Sequence, residues 1–143
     1  MKEILAYRGC FVCGHENKHG LKARFFHDGN EATTTVTATP EFEGYHGIYH
    51  GGIVATLLDE VMIKSILAQD IYAVTAEMTV RFRLPARTGV NLTYKGRIIG
   101  RKGRMLFTSG TVTDTEGNVI AEASGKYIEA KPELKKTLLQ SKD

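Results

Sequence analysis

The segment from Gly52 to about Gln69 constrains the fold more than any other part of the chain. It reads GIVATLLDEVMIKSILAQ, contains no proline, and is long enough for a helix of about four to five turns. Apolar residues fall on every face of that helix. Because a helix that is apolar all round has to be enclosed by the rest of its domain, the sequence predicts one long buried helix.

Most of the remaining chain alternates polar and apolar residues, as strands do. Residues 74–85, VTAEMTVRFRLP, are the clearest example, and residues 21–28 and 31–39 flank the turn DGN. Three more strand-like segments follow, and their short connections favour antiparallel pairing. We therefore expect an α+β fold, in which a curved antiparallel sheet of five to six strands wraps around the helix.

The 143 residues are expected to form a single domain, 1–143, with an N-terminal loop segment over 1–20 and a C-terminal tail over 132–143. The net charge of +3 and the 24% of charged residues are ordinary for a globular protein. No apolar run approaches the ~20 residues of a membrane span, and no nucleic-acid-binding pattern is present. We expect neither a membrane nor a nucleic-acid partner. The two cysteines and the lack of a secretory apolar run favour a cytoplasmic protein.

Two adjacent acids lie within the apolar helix, and their surroundings differ. Glu60 has Lys64 four residues further on, which predicts an ordinary ion pair at a solvated edge. Asp59 has no cation at the corresponding positions, which hold Ala55, Thr56, Met62 and Ile63. A carboxylate there is destabilised in its charged form, so Asp59 is a candidate base or nucleophile. The alternative is a structural role, at the surface or in a buried salt bridge to a residue such as Arg81.

The helix begins on the triplet His50-Gly51-Gly52. The first turn of a helix has unpaired N–H groups and partial positive charge, and glycines let another molecule's oxygen approach them. Such amides can stabilise an oxyanion, although the glycines could equally serve only a tight turn. Asp59 lies roughly 10 Å further along the helix. If both groups act on one substrate, they come from two subunits, and an open sheet edge also favours a homodimer or larger assembly.

The segment HGGIVATLLDE, preceded by GYHGIY and followed by TAEMTVRFRLPARTG, resembles the acyl-CoA thioesterases of the hot-dog fold. The nearest type is the phenylacetic-acid-pathway thioesterase with its mammalian relatives, and the resemblance covers roughly Thr33 to Ile128. It implies hydrolysis of an acyl-CoA thioester to a carboxylic acid and CoA, no metal or organic cofactor, and a homodimer or dimer of dimers. Two other hot-dog functions stay open, namely a non-catalytic acyl-CoA-binding module and a hydratase or dehydratase.

The same resemblance implies residue roles. Asp59 would be the nucleophile or the base, the Gly51 amide the oxyanion donor, His50 the residue that orients the loop, and Thr75 a water-positioning hydroxyl. The family's asparagine six residues before the histidine is replaced by Gly44. The remaining substrate-binding candidates near the thioester and acyl group are Gly52, His46, Leu58, Met62 and Phe82. The basic candidates for the CoA phosphates are Arg81, Arg83, Arg101, Lys102 and Arg104.

The N-terminal segment CFVCGHENKHG contains Cys10 and Cys13 and can be read as a Cys-x2-Cys-x-His-x3-His zinc pattern. The distance from the second cysteine to the first histidine is too short for a zinc finger of the usual kind. The segment also resembles CFVCG…N…GL in one thioesterase subgroup, which implies a structured loop without a metal. We therefore expect no metal here, and a redox pair is a further alternative.

Overall fold

The computed structural model describes residues 1–142. Its elements in chain order are β1 (Lys2–Glu3), β2 (Phe26–His27), β3 (Ala32–Thr37), a 3₁₀ turn (Pro40–Phe42), α1 (Gly51–Leu67), β4 (Ala73–Phe82), β5 (Asn91–Lys102), β6 (Met105–Thr113), β7 (Val119–Glu129), α2 (Pro132–Leu139) and a second 3₁₀ turn (Gln140–Lys142). Across this part of the chain, no helix combines the length and apolar character that crossing a membrane requires.

The strands form one sheet in the order β1-β2-β3-β5-β6-β7-β4, and all neighbouring pairs are antiparallel. The expected number of five to six strands is wrong, because the sheet has seven. The N-terminal segment adds the two-residue strand β1 alongside the short strand β2. At the other end of the sheet, the ten-residue strand β4 forms an edge with mostly exposed side chains.

The sheet wraps around α1, as the sequence predicts. Leu57, Leu58, Val61 and Met62 of the helix are 0% exposed. Glycine lets the sheet approach the helix backbone, because a Cβ on Gly96 of β5 would lie 2.7 Å from the carbonyl oxygen of Val61. The prediction of a curved antiparallel sheet around one buried helix, the hot-dog architecture, is therefore confirmed.

The irregular segment 4–25 covers the side of α1 that faces away from the sheet. Backbone hydrogen bonds hold it in place, including Leu21 N to Phe11 O and Ala23 N to Val12 O, both at 2.8 Å. The Lys64 ammonium of α1 donates to the Leu5 carbonyl at 2.5 Å. One face of the helix is therefore enclosed by the sheet and another by this segment, while the face towards β4 stays partly open.

Candidate active site

His50 caps the N-terminus of α1 with its own side chain. Its backbone is extended, with φ −62° and ψ 127°, and its Nδ1 accepts a hydrogen bond from Gly52 N at 2.8 Å. Its carbonyl accepts from Ile53 N and Val54 N. Within residues 1–142, no acceptor bonds the N–H of Gly51. The Gly51 amide is therefore the donor that the helix N-terminus leaves available, whereas the amide of Gly52 is already used.

A cavity of about 300 Å³ lies beside that free amide, lined by Gly51, Val54, Phe82, Arg83 and other residues. Phe82 is 55% exposed, and its ring carbon Cε1 would lie 3.4 Å from a Cβ added to Gly51. The structure therefore places Phe82 beside the oxyanion-donor candidate, and its contact with a substrate stays a prediction. A larger hollow of about 970 Å³ lies over β3 and is lined by none of the four candidate catalytic residues.

Asp59 receives hydrogen bonds from two strands. Thr75 Oγ1 of β4 donates to Asp59 Oδ1 at 2.9 Å, and the Tyr127 hydroxyl of β7 donates to the same oxygen at 2.8 Å. The alternative of a salt bridge to Arg81 is not observed, and no cation pairs with Asp59 in the part of the chain described. The carboxylate is thus held by hydroxyl groups rather than neutralised.

Tyr127 was not among the residues singled out from the sequence. It is 0% exposed, and burial, followed by the adjacent Asp59 carboxylate, raises the pKa of its hydroxyl. The phenol therefore stays protonated at neutral pH and remains a donor to Asp59. The alternation of β7, in which residues 121, 123 and 125 are small and buried, would have placed position 127 on the inward face.

Strand β4 runs antiparallel to the helix beside it, so that two pairs of residues face each other. Phe82 lies next to Gly51 at the start of the helix, and Thr75 bonds Asp59 about two turns later. The eight helical steps from Gly51 to Asp59 correspond to about 12 Å. The amide and the acid therefore do not converge within one chain, as helix geometry predicts.

The basic candidates fall into two groups at opposite ends of β4. Arg81 and Arg83 are near Phe82, and Arg83 already pairs with Glu122 at 3.1 Å. The other group lies where β5 meets β6, next to Glu129, and comprises Arg101 and Lys102 at the end of β5 and Arg104 in the turn. Because Ala73 pairs with Glu129, this turn lies at the beginning of β4. The carboxylate of Glu129 binds Arg101, and its carbonyl accepts from Arg104 at 3.2 Å.

The other predicted substrate-binding residues are placed differently. Leu58 and Met62 are 0% exposed and lie beneath Gly110 of β6, so in one chain they are core residues. Their contact with an acyl group stays a prediction. His46 is exposed in the loop before the helix. At Gly44, a Cβ would lie 3.4 Å from the His50 ring, so the family's asparagine position is next to the capping histidine.

The prediction that Glu60 lies at a solvated edge is wrong, although the predicted ion pair with Lys64 is present at 3.8 Å. The two side chains are only 17% and 1% exposed, because the N-terminal segment lies over them rather than solvent. Burial, followed by the negative charge of the nearby Cys10 thiolate, raises the pKa of Glu60 to about 7. Glu60 is thus part of an enclosed polar cluster.

Among the described residues, one group has donor atoms close enough together to hold a metal ion. It comprises Cys10, Cys13 and Glu60, whose donor atoms lie within 4.8 Å of one another. His15 and His19, which completed the zinc pattern in the sequence, are outside this group. The Lys64 ammonium, 3.8 Å from Glu60, already supplies a positive charge there. The Lys64 side chain therefore already balances a negative charge in the group formed by Cys10, Cys13 and Glu60.

Comparison with known proteins identifies the family. Residues 46–121 match the model of the thioesterase superfamily. Bovine (Bos taurus) acyl-coenzyme A thioesterase THEM4 is 27% identical over 139 residues, which are 95% of this chain and 57% of THEM4. The crystal structure of RHA08564, a thioesterase superfamily protein, is 27% identical with a TM-score of 0.80, over 85% of this chain and 61% of that one.

The chain thus spans about three fifths of the length of these two relatives. The PaaI protein from the E. coli phenylacetic acid degradation operon has a TM-score of 0.73 at 21% identity, over 78% of this chain and 81% of its own. At that identity the likeness shows the fold alone. Since the family model covers more than half of the chain, from the helix-capping loop to β7, this protein belongs to the thioesterase superfamily and has its hot-dog fold.

Proposed function

We propose that this protein hydrolyses acyl-CoA thioesters to a carboxylic acid and CoA. The observation that carries the proposal is Asp59, a carboxylate on the partly open face of a buried helix, held by two hydroxyls and paired with no cation among residues 1–142. A binding protein would gain nothing from an unneutralised acid beside a thioester. The similarity to THEM4, an acyl-coenzyme A thioesterase, supports the same activity.

In the proposed reaction, the Gly51 N–H donates to the thioester oxygen and stabilises the negative charge that develops there. Asp59 either removes a proton from an attacking water or attacks the carbonyl carbon itself, and the C–S bond then breaks. Thr75 and Tyr127 hold one carboxylate oxygen, which leaves Oδ2 to act. In the first case, the proton taken from the water reaches the departing CoA sulfur. In the second case, an acyl–Asp59 anhydride forms, and a water then hydrolyses it, which regenerates the Asp59 carboxylate and supplies the proton for the thiolate. Both routes give a free thiol and a carboxylic acid.

The proposal requires two copies of the chain. Gly51 and Asp59 are about 12 Å apart along one helix, and both lie next to β4, which is an open edge of the sheet. Pairing of β4 with a second copy would satisfy the edge and bring the Gly51 of one subunit towards the Asp59 of the other. We therefore include a homodimer, or a dimer of dimers, in the proposal.

The direct test is thiol release from aromatic and straight-chain acyl-CoAs by the wild type and Asp59→Asn. We expect Asp59→Asn to lose about 10²–10⁴-fold in kcat with its fold intact, because general acid–base help has that size. A preference for aromatic acyl groups would support the phenylacetic-acid-pathway type. If the wild type binds acyl-CoA but releases no thiol, the protein is a binding module and the proposal fails.

A second test addresses the amide donor. Gly51 is the first residue of α1 and His50 before it is extended, which are the positions that tolerate proline. Gly51→Pro therefore removes the N–H without breaking the helix, whereas Gly51→Ala keeps it and adds a comparable side-chain carbon. We expect only the proline variant to lose about 10²–10³-fold in kcat. Equal losses in both would assign the effect to contact with Phe82.

Mixing the two inactive variants tests whether the site is shared. If Gly51 and Asp59 act from different subunits, a heterodimer of Gly51→Pro and Asp59→Asn has one intact site, and random mixing should restore about a quarter of the wild-type activity. If both groups act from the same chain, mixing restores nothing. Exchange after partial unfolding and refolding, followed by the thiol assay, distinguishes the two outcomes.

A further inference from the structure

We propose that Cys10 and Cys13 form a hydroperoxide-reactive dithiol site, in which Cys10 is the attacking thiolate and Cys13 the resolving thiol. The site lies where the N-terminal segment packs on α1, on a different face of the helix from Asp59. It does not depend on the proposed thioester hydrolysis.

The backbone around Cys10 is arranged to stabilise a negative sulfur. Cys10 Sγ accepts hydrogen bonds from Val12 N and Cys13 N, each at 3.4 Å. The loop is tightly wound, because a Cβ on Gly14 would lie 2.6 Å from Cys10 N and 2.3 Å from Arg8 O. N–H donors of this kind favour the thiolate form of a cysteine.

Side-chain charges add to this effect. Cys10 Sγ lies 3.7 Å from Glu60 Oε2, which is 3.8 Å from the Lys64 ammonium, and the Tyr7 ring packs 5.3 Å from that ammonium. Lys64 favours a negative charge on both Cys10 and Glu60, and the Cys10 thiolate disfavours ionisation of Glu60. The hydrogen bond from the Cys13 thiol, ahead of the backbone donors and Lys64, lowers the pKa of Cys10 to about 5.

The two sulfurs differ in access as well as in charge. A cavity of about 510 Å³ opens on Cys10 and is lined by Tyr7, Arg8, Gly9, Glu16 and Ser141. Cys13 is only 1% exposed, and its hydrogen bond to the Cys10 sulfur, followed by burial, raises the pKa of its thiol. A small electrophile therefore meets Cys10 first, with the Cys13 thiol less than 4.8 Å away from its sulfur.

The reaction of such a pair with a hydroperoxide balances. The Cys10 thiolate attacks one peroxide oxygen, the O–O bond breaks, and a sulfenic acid and hydroxide form, which becomes water on protonation. The Cys13 thiol then attacks the Cys10 sulfur, the S–S bond forms, and the sulfenic oxygen leaves as water. Two thiols are oxidised and one peroxide is reduced to two waters.

The test treats the reduced protein with hydrogen peroxide and analyses its cysteine peptide by mass spectrometry. We expect a Cys10–Cys13 disulfide that dithiothreitol reverses. Cys13→Ser should stop at a sulfenic acid on Cys10, which a dione reagent traps. Cys10→Ser should leave Cys13 unmodified in the folded protein. Equal modification of both cysteines, or of Cys13 alone, would overturn the assignment.

The pH profile separates this site from an ordinary exposed thiol. Between pH 6 and 8, oxidation of native Cys10 should change far less than tenfold per pH unit, because its thiolate is already formed and only the neighbouring Glu60 titrates in this range. The same chain unfolded in urea should react about tenfold faster for each pH unit, as a free thiol does. A native profile that follows the unfolded one excludes the proposal. Tight zinc binding that protects both cysteines from peroxide would likewise replace it with a metal site.

Discussion

The phenol of Tyr127 donates to Asp59 Oδ1 at 2.8 Å and also approaches the carbonyl oxygen of Asp59 at 3.1 Å. One buried hydroxyl of β7 thus binds both the side chain and the backbone of the helix at the candidate catalytic acid. Thr75 binds the same carboxylate oxygen from β4. The orientation of Asp59 is therefore set by two strands that lie side by side in the sheet.

Tyr127→Phe removes one of these donors and keeps the ring. We expect kcat for thioester hydrolysis to fall about ten- to a hundredfold with little change in KM, because a loosened acid is misplaced in the transition state while substrate contacts remain. The free energy of unfolding should fall by about 1 kcal/mol, the usual net value of one hydrogen bond. Steady-state kinetics and urea unfolding measure the two effects.

Tyr94→Phe is the matched control for that change. Tyr94 is also 0% exposed and in a strand of the sheet, but its hydroxyl has no hydrogen-bond partner. Removing an unsatisfied buried hydroxyl should leave kcat unchanged and not lower the free energy of unfolding. If Tyr94→Phe lowered kcat as much as Tyr127→Phe, the effect would come from packing rather than from the bond to Asp59.

Thr75 can be tested with a pair of substitutions of nearly the same size. Thr75→Val removes the hydroxyl that donates to Asp59 at 2.9 Å, and Thr75→Ser keeps it. We expect kcat to fall about tenfold or more in the valine variant and to stay within a few-fold of the wild type in the serine variant. Full activity of Thr75→Val would show that Tyr127 alone is enough to position the acid.

Much of the fold was predictable because its determinants are local. An apolar helix that needs enclosing, alternating strands and short turns together specify a sheet wrapped around one helix. The position of Asp59 away from any cation in its own helix, and the separation of Asp59 from Gly51, follow from helical geometry alone. These features required no knowledge of which strands are neighbours.

The contacts that could not be predicted connect residues far apart in the chain. Tyr127 lies 68 residues from Asp59 and Cys10 lies 50 residues from Glu60. The periodicity of α1 shows which residues share a face but not what covers that face. The helical pattern therefore predicts that Glu60 is a solvated partner of Lys64, whereas in the structure an irregular segment with no periodicity of its own encloses both side chains.

Glu60→Gln separates the two adjacent acids functionally. Glu60 binds Lys64 and Cys10 under the N-terminal segment and does not line the face that carries Asp59. We expect the glutamine variant to keep thioester hydrolysis within a few-fold of the wild type in the thiol-release assay. A loss comparable to the 10²–10⁴-fold expected for Asp59→Asn would transfer the role of the acid to Glu60.

The same variant should change how stability depends on pH. Burial raises the pKa of Glu60 from 4.5 to about 7, so between these values the folded state holds a proton that the unfolded state releases. This contribution to the free energy of unfolding is complete below pH 4.5 and is lost as pH rises through about 7. Glu60→Gln does not titrate, so relative to the wild type it should gain about 3 kcal/mol across that range.

Urea unfolding of both proteins at several pH values measures this difference. Glu122→Gln, a change of the same charge at an exposed ion pair with Arg83, is the control for the altered net charge. A difference between Glu60→Gln and the wild type that is constant with pH would show that burial does not perturb Glu60. If the stability of Glu60→Gln relative to the wild type fell rather than rose with pH, the attraction of Lys64 would outweigh the effect of burial and hold Glu60 ionised.

Because the sheet packs closely on α1, we expect alanine substitutions at two glycines of β5 to have different effects on stability. A Cβ on Gly96 would lie 2.7 Å from Val61 O and 2.9 Å from Met62 N, whereas a Cβ on Gly100 would meet only a Phe107 ring carbon at 3.8 Å. Neither glycine has a positive φ, so contact alone distinguishes them.

Gly96→Ala has to push the helix backbone away and should lower the free energy of unfolding by about 3 kcal/mol. Gly100→Ala should be neutral or slightly stabilising, because alanine reduces the freedom of the unfolded chain. Thermal and urea unfolding measure both, and equal stability of the two variants would mean that the sheet does not press on α1 at Gly96.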